Sequence, residues 1–174
     1  MLTISRACTA EDFTISGELC RMFGAWDAEA CRDYDIPSEV VAAFFHSEDN
    51  EALAAKYSQA DASLLLARWH GEPAGCIALA PFDDGAAEIH KFYVDSAFRG
   101  RGIGKALLQA ILAEADKGPR STVLLHTTVY MKSAVSLYKA FGFTPCPPFR
   151  NIPDAIKHTE VFMKRPVEHD SFIM

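Results

Sequence analysis

Cysteine is sparse and poorly placed for cross-linking. The five residues, Cys8, Cys20, Cys31, Cys76 and Cys146, are odd in number and scattered, with no C-x-x-C pair. That argues against a disulfide framework and a structural zinc site, and no metal is expected. No apolar run approaches the ~20 residues of a membrane span, and the opening MLTISRACTAEDF lacks the basic and then apolar regions of an export signal. A cytoplasmic protein without a membrane partner is expected. Internal repeats, linkers and low-complexity tracts are also missing, so 174 residues predict a single domain over 1–174, with 166–174 as a C-terminal tail. Basic charge is short: 17 Lys and Arg face 23 Asp and Glu, for a net charge of −6. Such a chain is unsuited to nucleic acid. The imbalance lies in the first third, where twelve acidic residues through Asp61 stand against Arg6, Arg21, Arg32 and Lys56. Most of these charges read as solvated helix surface, although such a surface also attracts cations.

What is present is organised around Ala86–Ala115. β-Formers from Glu88 to Val94 alternate, with Glu88, His90, Phe92 and Val94 on one face and Ile89, Lys91 and Tyr93 on the other. Asp95 to Arg101 reads as a loop. From Gly102 the period becomes helical, with an apolar stripe of Ile103, Leu107, Leu108, Ile111, Leu112 and Ala115. Around this unit the pattern predicts a strand over Leu2–Ala7, a helix from Ala10 capped by Thr9 and fading near Gly24, and a second helix from Pro37. Weak signal runs from Trp26 to Ile36, and irregular helical propensity from Glu51 to Gln59. Strands follow over Ser63–His70 and Ala74–Phe82, then Thr122–Thr128, a helix over Met131–Ala140 ended by Gly142, and strands over Phe143–Cys146 and His158–Lys164.

Gly100, Gly102 and Gly104 sit where loop becomes helix, among Arg99, Arg101 and Lys105. The first amides of a helix lack intrahelical partners and carry the positive end of the macrodipole, so this is anion-binding chemistry. Two phosphate motifs fail. A P-loop would need glycine where Arg99 stands and Ser or Thr where Ala106 stands. A dinucleotide fingerprint would need glycine at Lys105 or at Leu107. What remains is R-x-x-G-x-G, as Arg99-Gly100-Arg101-Gly102-Ile103-Gly104.

That motif resembles the pyrophosphate loop of the GNAT superfamily of N-acetyltransferases. Met131–Phe143 resembles the family's A-x-x-L-Y-x-x-x-G-F helix, and Gly75–Phe82 and Glu88–Val94 resemble a subgroup's G-C-x-A-L-R-P-L and E-M-K-R-L-Y-V. The likeness extends from about Ser63 to the end and is loose in the first helices. It implies an α/β (α+β) GNAT fold: a mixed, mostly antiparallel twisted sheet of six to seven strands with about four helices. It also implies acetyl-CoA as co-substrate, with Arg99, Gly100, Arg101, Gly102, Ile103, Gly104 and Lys105 on the pyrophosphate. Phe92, Tyr93 and Val94 would hold pantetheine at a strand bulge.

Acetylating an amine requires a neutral nucleophile, donors for the developing oxyanion and a proton for the leaving thiolate, and an ammonium titrates near ~10. The resemblance makes Glu88 the candidate base, its pKa expected to be raised by the cleft, and Tyr138 the candidate acid at the sulfur. His90 and His126 replace a lysine and an aspartate of the subgroup. They read as a structural pair or as acceptor-pocket residues, to which Tyr34 is added. Ala80 replaces an arginine, which weakens any claim of an acceptor carboxylate held from that position. Met131 stands where many family members have asparagine. The expected reaction is direct transfer in a ternary complex to a small primary amine, by a monomer or homodimer. A non-catalytic acyl-CoA sensor and an acyltransferase for longer acyl chains are the alternatives.

Overall fold

The computed structural model describes residues 1–169. Seven strands form one sheet in the order β1-β2-β3-β4-β5-β7-β6. They are β1 (Leu2–Arg6), β2 (Ser63–Trp69), β3 (Glu72–Pro81), β4 (Ala86–Val94), β5 (Thr122–Thr128), β6 (Thr144–Pro145) and β7 (Glu160–Pro166). Only β4 and β5 pair in parallel, and the other neighbours are antiparallel. Five α-helices accompany them: α1 (Ala10–Ala30), α2 (Ser38–Phe45), α3 (Asn50–Tyr57), α4 (Ile103–Lys117) and α5 (Lys132–Ala140). The mixed, mostly antiparallel sheet is as expected. The irregular propensity after Glu51 resolves into α3, capped by the Asp49 side chain on the Ala52 amide.

The first helix starts as its sequence predicts. Thr9 accepts from the Asp12 amide while the Asp12 carboxylate accepts from the Thr9 and Cys8 amides, a reciprocal capping box. It does not fade at Gly24 but continues to Ala30 and then a 3₁₀ turn over Cys31–Tyr34. Tertiary contact overrides the local pattern: Gly24 lies under His46, and buried Asp27, one turn on, is held by Tyr130 and His46. β7 begins two residues later than expected, and only Thr144 and Pro145 of the expected Phe143–Cys146 strand pair with it. The expected tail starts inside β7. Val167 donates to the Ser121 carbonyl and Glu168 to Asp116 Oδ1, while residues 170–174 lie outside the described residues.

Helices cover both faces. On one, the stripe of α4 from Ile103 to Ala115 packs on Ile77, Leu79, Ile89, Val123 and Leu125, with Tyr138 of α5 and Phe143. On the other, Phe13 and Leu19 of α1 and Leu53 and Tyr57 of α3 pack on Leu64, Leu66, Cys76 and Ala78. Each fully buried aliphatic contributes roughly 1.5–3 kcal/mol.

Two irregularities shape the middle of the sheet. β4 and β5 pair only from Ala86/Thr122 to Ile89/Leu125, after which they diverge. The β3–β4 ladder shifts register between Cys76, opposite Tyr93, and Ala78, opposite His90, so Lys91 and Phe92 share Ile77 as their counterpart. This is a β-bulge, with Lys91 at φ 56°. The extra residue reverses side-chain parity and corrects the simple alternation: Ile89 shares its face with Phe92 and Val94, whereas the opposite-face core holds Tyr93.

β3 approaches the strand end beyond the bulge so closely that only glycine fits. A Cβ on Gly75 would lie 2.6 Å from the Tyr93 carbonyl oxygen and 3.2 Å from Leu107 Cδ1. Gly75→Ala is expected to lower stability by ~1–3 kcal/mol, read as a fall in urea midpoint. An unchanged midpoint would show that the two strands separate at no cost.

Candidate active site

The gap between the diverging ends of β4 and β5 opens into two chambers. The first, about 390 Å³, is lined by Phe92, Tyr93, Val94, Arg99, Gly100, Gly102, Ile103 and Gly104 on one side and by Trp26, Tyr130 and the first half of α5 on the other. The second, about 190 Å³, is lined by Glu88, His90, Lys91 and Phe92 of β4, by His126 and its neighbours on β5, and by Phe44, Phe45, Glu48, Tyr138 and Arg150. Phe23, Phe92, Met131 and Ala134 line both.

The first chamber has the features of an anion and amide site. Gly100 and Gly102 take φ of 80° and 75°, which a side chain would strain, and nothing stands within 4 Å of a Cβ placed on either. Among the described residues no side chain caps α4, so its leading amides stay available. Gly104 fits for another reason: its Cβ would meet Phe92 at 3.4 Å and Val94 at 3.7 Å, where helix lies on strand. Arg99 crosses Trp26 at 5.7 Å and donates to the Val94 carbonyl at 3.1 Å, which fixes it at the chamber wall. Arg101 and Lys105 do not line the chamber, and Arg101 lies over Trp69 at 5.1 Å. Beyond Ile89 the β5-facing edge of β4 has no strand partner. Apart from the Val94 carbonyl, which Arg99 takes, the backbone groups on that edge have no strand partner and could meet an extended amide-bearing arm.

The second chamber is a set of matched charges. Glu88 is 3% exposed, and its Oε1 takes both the Arg150 guanidinium and His90 Nε2, the latter at 3.1 Å. Burial pushes its carboxyl up, but the hydrogen bonds and charges of His90 and Arg150 outweigh that and leave the pKa lowered. The raised value expected from the cleft is therefore corrected, because the sequence gives no sign that Arg150 folds back onto this strand. His90 is shifted down by burial, with Glu88 opposing, and its Nδ1 faces the Tyr57 hydroxyl at 3.0 Å. A neutral imidazole donating from Nε2 to Glu88 and accepting the Tyr57 proton at Nδ1 satisfies both contacts. Glu48 is taken by Lys91 at 2.9 Å and Lys56 at 3.7 Å. Asp27 accepts from Tyr130 at 2.5 Å and faces His46 Nε2 at 2.8 Å.

Tyr138 is 5% exposed, against Phe92 and Phe143, and burial raises its pKa. Its hydroxyl therefore stays protonated well past neutral pH. His90 and His126 both line the second chamber but are not partners of each other. His126 stacks on Phe162 at 4.2 Å, its Nε2 is 3.5 Å from Glu160, and among the described residues neither ring nitrogen has a hydrogen bond. Tyr34 lines neither chamber: it packs on Tyr130 at 5.2 Å, and its carbonyl accepts from His158. Among the described residues no group of three or more His, Cys, Asp or Glu could hold a metal ion, and no helix is long and apolar enough to cross a membrane.

Residues 27–143 match the acetyltransferase (GNAT) family. The chain belongs to the GNAT acetyltransferases. The GNAT match takes in both chambers' β4 and α5 walls and the glycine loop, but stops short of Arg150. This GNAT chain is 35% identical over 100 residues to an uncharacterised N-acetyltransferase of Schizosaccharomyces pombe, covering 56% of this chain and 61% of that protein. It is 35% identical over 109 residues to an IAA acetyltransferase of Azospirillum brasilense, covering 62% and 69%. A GNAT-family acetyltransferase structure from Staphylococcus aureus superposes with a TM-score of 0.71 at 20% identity, covering 97% of this chain and all of that one. The ribosomal-protein-S18-alanine N-acetyltransferase of Escherichia coli superposes at 0.67 with 17% identity, covering 100% and 99%. At these identities the structures establish the shared GNAT fold.

Sequence reasoning missed Arg150, Asp27, His46 and Glu48, each isolated in its own stretch with no motif spacing. In Arg150→Gln the Glu88 carboxyl is expected to titrate higher than in the wild type, since one cause of its lowered pKa is gone. Carbon-detected NMR titration of labelled glutamates reads this directly. The pair's contribution to stability is present above the ordinary carboxylate pKa of ~4.3 and lost as pH falls through the lowered one. A glutamate titration unmoved by the substitution would show that Arg150 does not hold the charge.

Proposed function

We propose that the protein transfers an acetyl group from acetyl-CoA to a small primary amine by direct attack in a ternary complex. The observation that carries this reading is the junction of the two chambers at Phe92, Met131 and Ala134, with an anion-suited glycine loop behind one and a buried carboxylate in the other. Arg99, the glycines and the α4 amides would hold the pyrophosphate, and the free edge of β4 from Phe92 to Val94 the pantetheine arm. Bound there, acetyl-CoA supplies the acyl group as a thioester.

The chain's own residues supply the rest. Amides at the bulge polarise the carbonyl that faces them, in a setting that needs no reorganisation. Glu88, anionic at neutral pH, draws the ammonium into the chamber and receives its proton, directly or through water, as the N–C bond forms. Because its pKa is lowered, it acts more by charge than by base strength. Tyr138, on the facing helix, donates its phenolic proton toward the sulfur as the C–S bond breaks.

Free-thiol release from acetyl-CoA is expected above the no-amine blank when pooled amino acids, aminosugars, polyamines and a lysine peptide are supplied, with products checked by mass. Binding of acetyl-CoA without release from any pool would favour a sensor over an enzyme. Tyr138→Phe is expected to lower kcat by ~10²–10⁴-fold while CoA affinity, measured by calorimetry, stays within about twofold. Equal loss of both would make Tyr138 a packing residue.

A further inference from the structure

The second chamber's charges are paired to different degrees. Both oxygens of Asp27 are occupied, by Tyr130 and His46, and both oxygens of Glu48, by Lys91 and Lys56. Glu88 differs. Among the described residues its two partners, Arg150 and His90, both fall on Oε1, and Oε2 has none. Arg150 is likewise only partly used. It gives one Nη2 contact to Glu88, and its remaining N–H groups have no protein acceptor among the described residues. The chamber thus keeps one open carboxylate oxygen beside one partly open guanidinium.

Arg150 is held in place rather than free to wander. Phe149, over which its guanidinium lies at 5.1 Å, packs between Phe82 at 5.1 Å and Phe162 at 4.9 Å. Across the β3–β4 ladder Glu88 stands opposite Ala80, a buried methyl that supplies no charge. The guanidinium next to Glu88 comes from the loop after β6 instead of from the neighbouring strand.

We infer that the acceptor is a small amino-carboxylate zwitterion, its ammonium on Glu88 Oε2 and its carboxylate on the free N–H groups of Arg150. This rests on the acceptor chamber identified above and names its occupant. Because the two poles are themselves in contact, the amino and carboxyl groups must sit on the same or adjacent carbons. A polyamine would set a second ammonium against Arg150. A simple monoamine would leave the guanidinium's remaining N–H groups without an acceptor. At about 190 Å³ the chamber suits a molecule of amino-acid size.

The test compares the proteinogenic amino acids and β-alanine, each beside the primary amine that lacks the carboxylate. Thiol release gives kcat/KM, and calorimetry on the CoA-bound protein gives affinity. At least one amino acid is expected to exceed its decarboxylated amine by ~10–100-fold in kcat/KM, mostly through KM. In Arg150→Ala that ratio is expected to fall to about one, with partial recovery in Arg150→Lys. Arg150-dependent binding of an amino acid without acetylation would support this receptor while overturning the transfer reaction. Acetylation of amines with no preference for the carboxylate, or a preference that survives Arg150→Ala, would overturn the receptor and leave the reaction standing. Neither binding nor acetylation of any amino acid would also overturn it.

Discussion

The left-handed backbone at Lys91 is the constraint on which the site depends. A non-glycine residue at φ 56° costs about 1–2 kcal/mol. It is retained by contacts on three sides: the ammonium reaches Glu48 and the Phe45 carbonyl, the Lys91 carbonyl accepts from Cys76 Sγ, and the ladder resumes at Tyr93. The added residue changes which side chains share a face. Upstream, His90 reaches Tyr57 of α3, while downstream Phe92 and Val94 turn toward α4. One strand can therefore contribute a carboxylate to one chamber and an apolar wall and free amides to the other, within seven residues.

The electrostatics follow from burial. Asp27, Glu48 and Glu88 line one chamber with Phe23, Phe44 and Phe45, and unpaired charges there would be costly. Each has acquired a partner from another part of the chain: Asp27 from the α2 end and the turn after β5, Glu48 from β4 and α3, Glu88 from the loop after β6. The Glu48 pairs add a polar tie between the helical layer and β4 to the apolar packing of α1 and α3 on the sheet. His126 and Glu160 are the exception, close enough to interact yet poorly aligned, and burial raises the Glu160 pKa.

Local chemistry was legible in the sequence wherever it was repeated or spaced. The stripe of α4, the Thr9 cap, the glycines at the α4 start and the order of strands around them all follow from periodicity and turn residues. The family could be read from Arg99–Gly104 and Leu137–Gly142 for the same reason. What could not be read depends on distant pairings. Nothing between Phe149 and Asn151 announces that Arg150 lies on Glu88, so the expected rise in the Glu88 pKa has the wrong sign. No residue type announces the bulge, since lysine does not favour positive φ. Tyr34, which could face the acceptor from the helical segment or pack in the core, does the latter, against Tyr130.

The wall shared by the two chambers, formed by Phe23, Phe92, Met131 and Ala134, couples donor and acceptor in size. On the proposed reading, a methylene added to the donor beyond acetyl would reach this partition from one side and a bulkier acceptor from the other. Donor length and acceptor bulk are thus two claims on one volume. A variant that enlarged Ala134 or reduced Phe92 would change tolerance for both at once, in opposite directions for the two substitutions.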